Sequence, residues 1–110
     1  MIVSSVADIS GEDTLTLTPM AVTKNLIITG RVQGVGFRFY MERKARALGI
    51  AGWVRNCRDG SVEAVVQGSS DAVETMIAWA RRGPPSAVVA EVKIADDGGE
   101  YAAFEMRPTE

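Results

Sequence analysis

Residues 50–68 read IAGWVRNCRDGSVEAVVQG, and this stretch decides the architecture. Two apolar, valine-containing runs, IAGWVRNC and SVEAVVQG, flank Arg58-Asp59-Gly60. Asp-Gly is a favoured pair for the tight turn of an antiparallel hairpin, so the segment predicts two paired strands. In the second run Val62, Ala64 and Val66 take one face, and Glu63, Val65 and Gln67 the other. In the first, Val54 and Asn56 share a face opposite Trp53, Arg55 and Cys57.

Upstream of this hairpin, KNLIITGRV (residues 24–32) reads as a strand rich in β-branched residues. Between them Met41, Ala45 and Leu48 recur with helical spacing, and Gly49 is placed to close that helix. Downstream, residues 71–82 predict a second helix. Ser69 or Ser70 caps its start, Asp71 and Glu74 lie near its positive end, and Val73, Met76, Ile77 and Ala80 form its inner stripe. Gly83-Pro84-Pro85 stops it. AVVAEVKIA (87–95) is a further strand, DDGGE (96–100) a turn, and YAAFEMRP (101–108) a last strand. The order is βαββαβ with a strand added at the C-terminus. It predicts an α+β, ferredoxin-like sandwich: an antiparallel sheet with two helices on one face. Residues 1–22 lack sustained periodicity and carry Gly11 and Pro19, so they are expected to be a flexible extension preceding a domain over 23–110. TLTLT within them alternates like a short strand, and Met20 offers an alternative start.

Composition narrows the chemistry. An apolar fraction of 46% in 110 residues is enough for one domain with a core. There is no histidine and a single cysteine, Cys57. That excludes an internal disulfide, histidine-ligated metals, and catalytic triads or dyads built on histidine. The N-terminal MIVSSVADIS has no basic start, which makes it a poor signal peptide, and no apolar run approaches the ~20 residues needed to span a bilayer. A cytoplasmic protein is expected. The first 22 residues hold Asp8, Glu12 and Asp13 and no base, leaving 12 bases against 11 acids elsewhere. Between Arg31 and Arg58 seven bases face one acid, Glu42. A local positive field of this kind suits an anionic ligand, although Arg43, Lys44 and Arg46 also fit a solvated helix face.

The basic segment contains GRVQGVGFR, residues 30–38. Gly34 and Gly36 allow a tight curl that turns backbone N–H groups toward one point beside a helix N-terminus, a receptor for an oxyanion. Arg38, on the first turn, adds a guanidinium able to bind such an anion through two parallel hydrogen bonds. A plain strand-to-helix turn with an exposed arginine reads equally from the glycines alone. Other phosphate fingerprints fail: G-x-G-x-x-G would need glycine where Phe39 stands, no Gly-Lys-Ser/Thr occurs, and a Cys-x5-Arg loop from Cys57 meets Glu63. Asn56 either opens the Asp59-Gly60 turn or holds a neutral amide over the glycine loop, where it would bind water through its oxygen. Trp53 reads as sheet-face packing, and Cys57 as a small filler without a base to activate it. Asp96-Asp97 reads as a solvated pair in a hairpin turn.

GRVQGVGFR, ALGIAGWVRN, DGSVEAVVQG, GPPSAVV and FEMRP, in this order and spacing, resemble the acylphosphatases over about residues 25–108. The resemblance implies hydrolysis of the carboxyl–phosphate bond of acyl phosphates to carboxylate and inorganic phosphate, with no metal and no cofactor. It carries the phosphate-binding loop onto Gln33, Gly34, Val35, Gly36, Phe37 and Arg38, with backbone N–H groups and the Arg38 guanidinium holding the phosphoryl oxygens. It makes Asn56 the residue that positions the attacking water. The partners expected are a small-molecule acyl phosphate, and inorganic phosphate as product and competitive inhibitor. No nucleic acid, no membrane and a monomer are expected. The sequence departs from the family at residues 1–22, at Cys57, where a larger apolar residue is expected, and at Val88, where a basic one is common. An RNA-binding module of the same fold would need exposed sheet-face aromatics, for which Trp53 is the one clear candidate. A third reading is the related domain at the N-terminus of hydrogenase-maturation carbamoyltransferases. The chain's end soon after its last strand favours the free-standing enzyme.

Overall fold

Five strands and two helices follow one another along the described residues: β1 (Val22–Arg31), α1 (Phe37–Leu48), β2 (Ala51–Asn56), β3 (Val62–Gly68), α2 (Ser70–Arg82), β4 (Val88–Asp96) and β5 (Phe104–Arg107). The computed structural model describes residues 21–110. The expected extension therefore lies outside the described residues up to residue 20, as does the TLTLT alternation. Val22 already belongs to β1, two residues before the expected strand.

The strands form one sheet in the order β4-β1-β3-β2-β5. The central hairpin is as read: β2 and β3 pair antiparallel from Asn56↔Val62 to Ala51↔Gln67. β1 lies antiparallel to both β3 and β4. The added strand differs. β5 runs parallel to β2, with Gly52 opposite Phe104 and Val54 opposite Met106, so the five-stranded sheet is mixed. DDGGE consequently does not close a hairpin. β4 and β5 lie on opposite edges, and the chain crosses the end of the sheet to join them. Gln67, at the end of β3, pins that crossing: its amide donates to Gly99 O at 2.7 Å and its oxygen accepts from Tyr101 N at 3.3 Å. The last strand is shorter than expected because residues 101–103 belong to this crossing. Asp96 is paired as well as exposed, with its carboxylate 2.5 Å from the Lys24 ammonium.

Both helices cover one sheet face. Leu26, Ile28, Val54, Val62, Ala64, Val66, Val92 and Phe104 from alternating strand positions join Phe37, Met41 and Ala45 of α1 and Val73, Met76 and Ala80 of α2 in one buried cluster. Alternation places these strand residues on a single side. Each large apolar side chain so buried contributes roughly 1.5–3 kcal/mol. α2 starts as read, with the Ser69 hydroxyl accepting from Ala72 N at 3.1 Å. It stops at Gly83, whose N–H donates to Trp79 O at 2.8 Å. Ile77 of the expected stripe is only partly buried against the core.

Candidate active site

The glycine corner joins β1 to α1, and its backbone is strained toward glycine at two points. Gly34 has φ 74° and Gly36 φ 78°, both in the left-handed region. Gly36 is the N-cap of α1, and it offers no side chain to bond the first amides of the helix. No acidic residue stands in the first turn either. Tyr40 N–H bonds back to Gly36 O at 3.0 Å. The amides of Gly34 through Phe39 donate to no group among the described residues. Several N–H groups at the positive end of a helix, left without acceptors, form an anion receptor.

Arg38 and Asn56 meet at this receptor. A cleft of about 170 Å3 is lined by Val32, Gly34, Gly36, Phe37, Arg38, Phe39, Asn56 and Met106. Asn56 ends β2 on the same sheet face as the buried Val54, so its carboxamide points to the helix side, over the corner. Its side chain makes no hydrogen bond among the described residues. Arg38 is half-buried, and its Nη1 donates to the carbonyl of Arg107 at 3.1 Å. No carboxylate pairs with it among the described residues. A carbonyl orients the guanidinium without neutralising it, so the remaining N–H donors and the full charge stay available.

The other loop residues divide by role. Val35 packs its side chain against the core, between the two glycines. Phe37 is 2% exposed and meets Trp79 edge-on, with centroids 5.3 Å apart, which anchors the first turn of α1. Gln33 does not line the cleft. Its side-chain amide donates to Cys57 O at 2.7 Å and to Ser61 O at 2.8 Å, so it clips the loop to the β2–β3 turn just beyond Asn56. That turn is itself braced, with Asp59 Oδ1 accepting from Ser61 N at 2.9 Å and Ser61 Oγ at 2.6 Å. These bonds hold the Asp59 carboxyl below its ordinary range, the Ser61 hydroxyl being the largest cause. Cys57 is free and half-buried. Its part here is played by its backbone, with N–H donating to Ser61 O and C=O accepting from Gln33.

Sequence reasoning missed Val32, Phe39 and Met106 as cleft residues. Phe39 adjoins Arg38 in the motif, and Met106 lies inside FEMRP, so the signal was present as position but not as chemistry. On the opposite sheet face Trp53 lies under two guanidinia, Arg55 at 5.3 Å and Arg107 at 4.8 Å from its ring centroid. Arg55 also pairs with Glu63 at 2.6 Å, the contact that chiefly raises its pKa.

The acylphosphatase family model matches residues 24–106. An acylphosphatase of Thiobacillus denitrificans is 56% identical over 85 residues, spanning 77% of this chain and 96% of that one. The solved acylphosphatase of Coxiella burnetii superposes with a TM-score of 0.77 at 34% identity, covering 79% of this chain and 93% of its own. Full-length HypF in a phosphate- and nucleotide-bound form contains a similar domain: TM-score 0.77 at 27% identity over 84% of this chain, but only 12% of that one. A loop whose amides find no acceptor among the described residues, a guanidinium bonded to one carbonyl, and a carboxamide on a ferredoxin-like sheet thus fall within the matched region or at its edge. The chain belongs to the acylphosphatase family, hydrolases that act on acyl phosphates.

Proposed function

We propose that Arg38 and the unpaired amides of the glycine corner bind the phosphoryl group of an acyl phosphate, and that Asn56 positions the water that attacks it. The observation that supports this is their convergence on one cleft, with Arg38 free of carboxylates and Asn56 free of side-chain partners among the described residues. The acyl phosphate is a mixed anhydride whose leaving group is a carboxylate of pKa ~4–5 by analogy with side-chain carboxyls, so it departs without a general acid. As the water oxygen bonds to phosphorus, the bond from phosphorus to the acyl oxygen breaks and its electron pair leaves with the carboxylate. Phosphoryl transfer needs mainly positioning and stabilisation of charge on the equatorial oxygens. The amides and Arg38 supply the second, and Asn56, clipped in place through Gln33, the first. Asn56 is not a base, so the water's proton passes to a non-bridging phosphate oxygen.

Metal-free catalysis by a cytoplasmic monomer, with inorganic phosphate as competitive inhibitor, completes the reading. The positive charge that a metal would bring is present in Arg38 and the helix terminus.

Benzoyl phosphate hydrolysis tests it. Arg38→Ala is expected to lose turnover and phosphate affinity together. Asn56→Ala keeps the phosphate inhibition constant while kcat falls about 10²-fold, as on removal of one preorganised polar group. Wild-type turnover in Asn56→Ala removes Asn56 from the mechanism.

A further inference from the structure

The cleft has a wall that phosphoryl binding leaves unused. Phe39 and Met106 both line it, yet they are 49% and 42% exposed. They come from different elements. Phe39 follows Arg38 on the first turn of α1. Met106 stands opposite Val54 on β5, two residues after the buried Phe104, and so shares a sheet face with Asn56. The glycine-corner amides, Arg38 and Asn56 supply the polar part of the lining, and of its apolar members Val32 and Phe37 are fully buried, which leaves Phe39 and Met106 as the exposed apolar wall. Large apolar side chains left partly hydrated beside a polar cleft complement a ligand with one charged and one apolar end. An acyl phosphate has that polarity, with phosphoryl oxygens at one end and the carbon chain of the acyl group at the other.

We propose that Phe39 and Met106 form an acyl-group subsite that favours flat, apolar acyl groups, aromatic ones above all, over small or charged ones. This rests on the reading of the phosphoryl site given above. Phe39 offers a ring for stacked or edge-on contact, and Met106 a polarisable thioether that adapts to an aromatic edge. Two neighbours on α1 contact the Phe39 ring. Tyr40 meets it edge-on at 5.4 Å and the Arg43 guanidinium lies 5.6 Å from its centroid. Arg43 is therefore engaged on the ring, and it is also the group that would recognise an acyl chain bearing a second anion.

Steady-state kinetics of the full chain with benzoyl, acetyl and succinyl phosphates decide the matter. The wild type is expected to favour benzoyl over acetyl phosphate by about tenfold or more in kcat/KM, mostly through KM, since the contact is made equally in ground and transition states. Phe39→Ala and Met106→Ala should each lower the benzoyl-to-acetyl ratio by about tenfold, the scale of a lost contact in an apolar pocket. The inhibition constant of inorganic phosphate reports the phosphoryl end separately. An unchanged ratio in both variants, with phosphate inhibition intact, overturns the subsite and leaves the phosphoryl reading standing. Should Phe39→Ala raise the phosphate inhibition constant, Met106→Ala decides, because it lies outside the loop. A preference for succinyl phosphate that Arg43→Ala abolishes overturns the proposal in favour of an anionic acyl group. A wild type that hydrolyses none of the three overturns the phosphoryl reading itself.

Discussion

Gln33 stands inside the motif proposed to bind phosphate, but its side chain does not line the cleft and spans to the carbonyls of Cys57 and Ser61. Each of these bonds is worth ~1 kcal/mol to stability, and their geometry matters more than their sum. They fix the distance between the glycine loop proposed to hold the substrate and the strand end that carries Asn56. Gln33→Met keeps the volume and removes both donors. It is expected to lower kcat about tenfold or more, since a displacement of an ångström at a reacting centre can cost ~10²-fold, while phosphate inhibition shifts less. Normal kcat in that variant, measured with acetyl and benzoyl phosphates, would remove the clip from the mechanism. Arg38 shows the same economy: one carbonyl, that of Arg107, aims it. The motif made Gln33, Arg38 and Asn56 visible as residue types at fixed spacing. It did not reveal that Gln33 acts through its side chain on the hairpin, because both acceptors lie more than twenty residues away in sequence.

At the scale of elements, β5 has a role its sequence does not announce. FEMR reads as a terminal strand, but its parallel placement beside β2 brings Met106 into the cleft and the Arg107 carbonyl to Arg38. The chain reaches that edge only because residues 97–103 cross the sheet, held by Gln67. Local sequence encodes the turn residues and not the edge at which the strand docks. β2 also depends on a close approach. Gly52 has φ 133°, and a Cβ there would lie 1.9 Å from Val65 O. The backbone at Gly52 must shift for any side chain, in a strand that ends in Asn56. Gly52→Ala is expected to destabilise the fold by about 3 kcal/mol, at the upper end of ordinary substitutions. A urea titration would register this as a lower midpoint at unchanged slope. An unshifted midpoint would mean that the strands separate freely here.

For the whole molecule, acid behaviour follows from two exposed carboxyls. Asp59 is held below the ordinary carboxylate range chiefly by the Ser61 hydroxyl, and Asp96 chiefly by its hydrogen bond from Lys24. A group whose folded pKa is depressed contributes stability in full above its unfolded value, about 4, and loses that contribution as pH falls through the folded value. Urea midpoints are therefore expected to drop below about pH 4, and to drop less in an Asp59→Asn, Asp96→Asn double variant. Equal slopes in the two proteins would sink this account. Chelation is expected to leave activity unchanged, which an EDTA titration against benzoyl phosphate hydrolysis checks. Among the described residues no group of three or more metal-ligating side chains gathers, and no helix is long and apolar enough to cross a membrane.

The order βαββαβ, the central hairpin, the inner faces of both helices and the glycine turn of GRVQGVGFR ahead of α1 were legible in the chain itself. Each depends on neighbours within a few residues: side-chain alternation, helical spacing, an Asp-Gly turn, glycines ahead of a helix. Only the tertiary structure decided that β5 docks parallel on the β2 edge, that Gln33 ties the loop to the hairpin, and that Phe39 and Met106 line one cleft with Arg38 and Asn56. Those are contacts between segments distant in sequence, selected by which sheet edge is open and which side-chain atoms then fall within reach, and no local pattern carries that information.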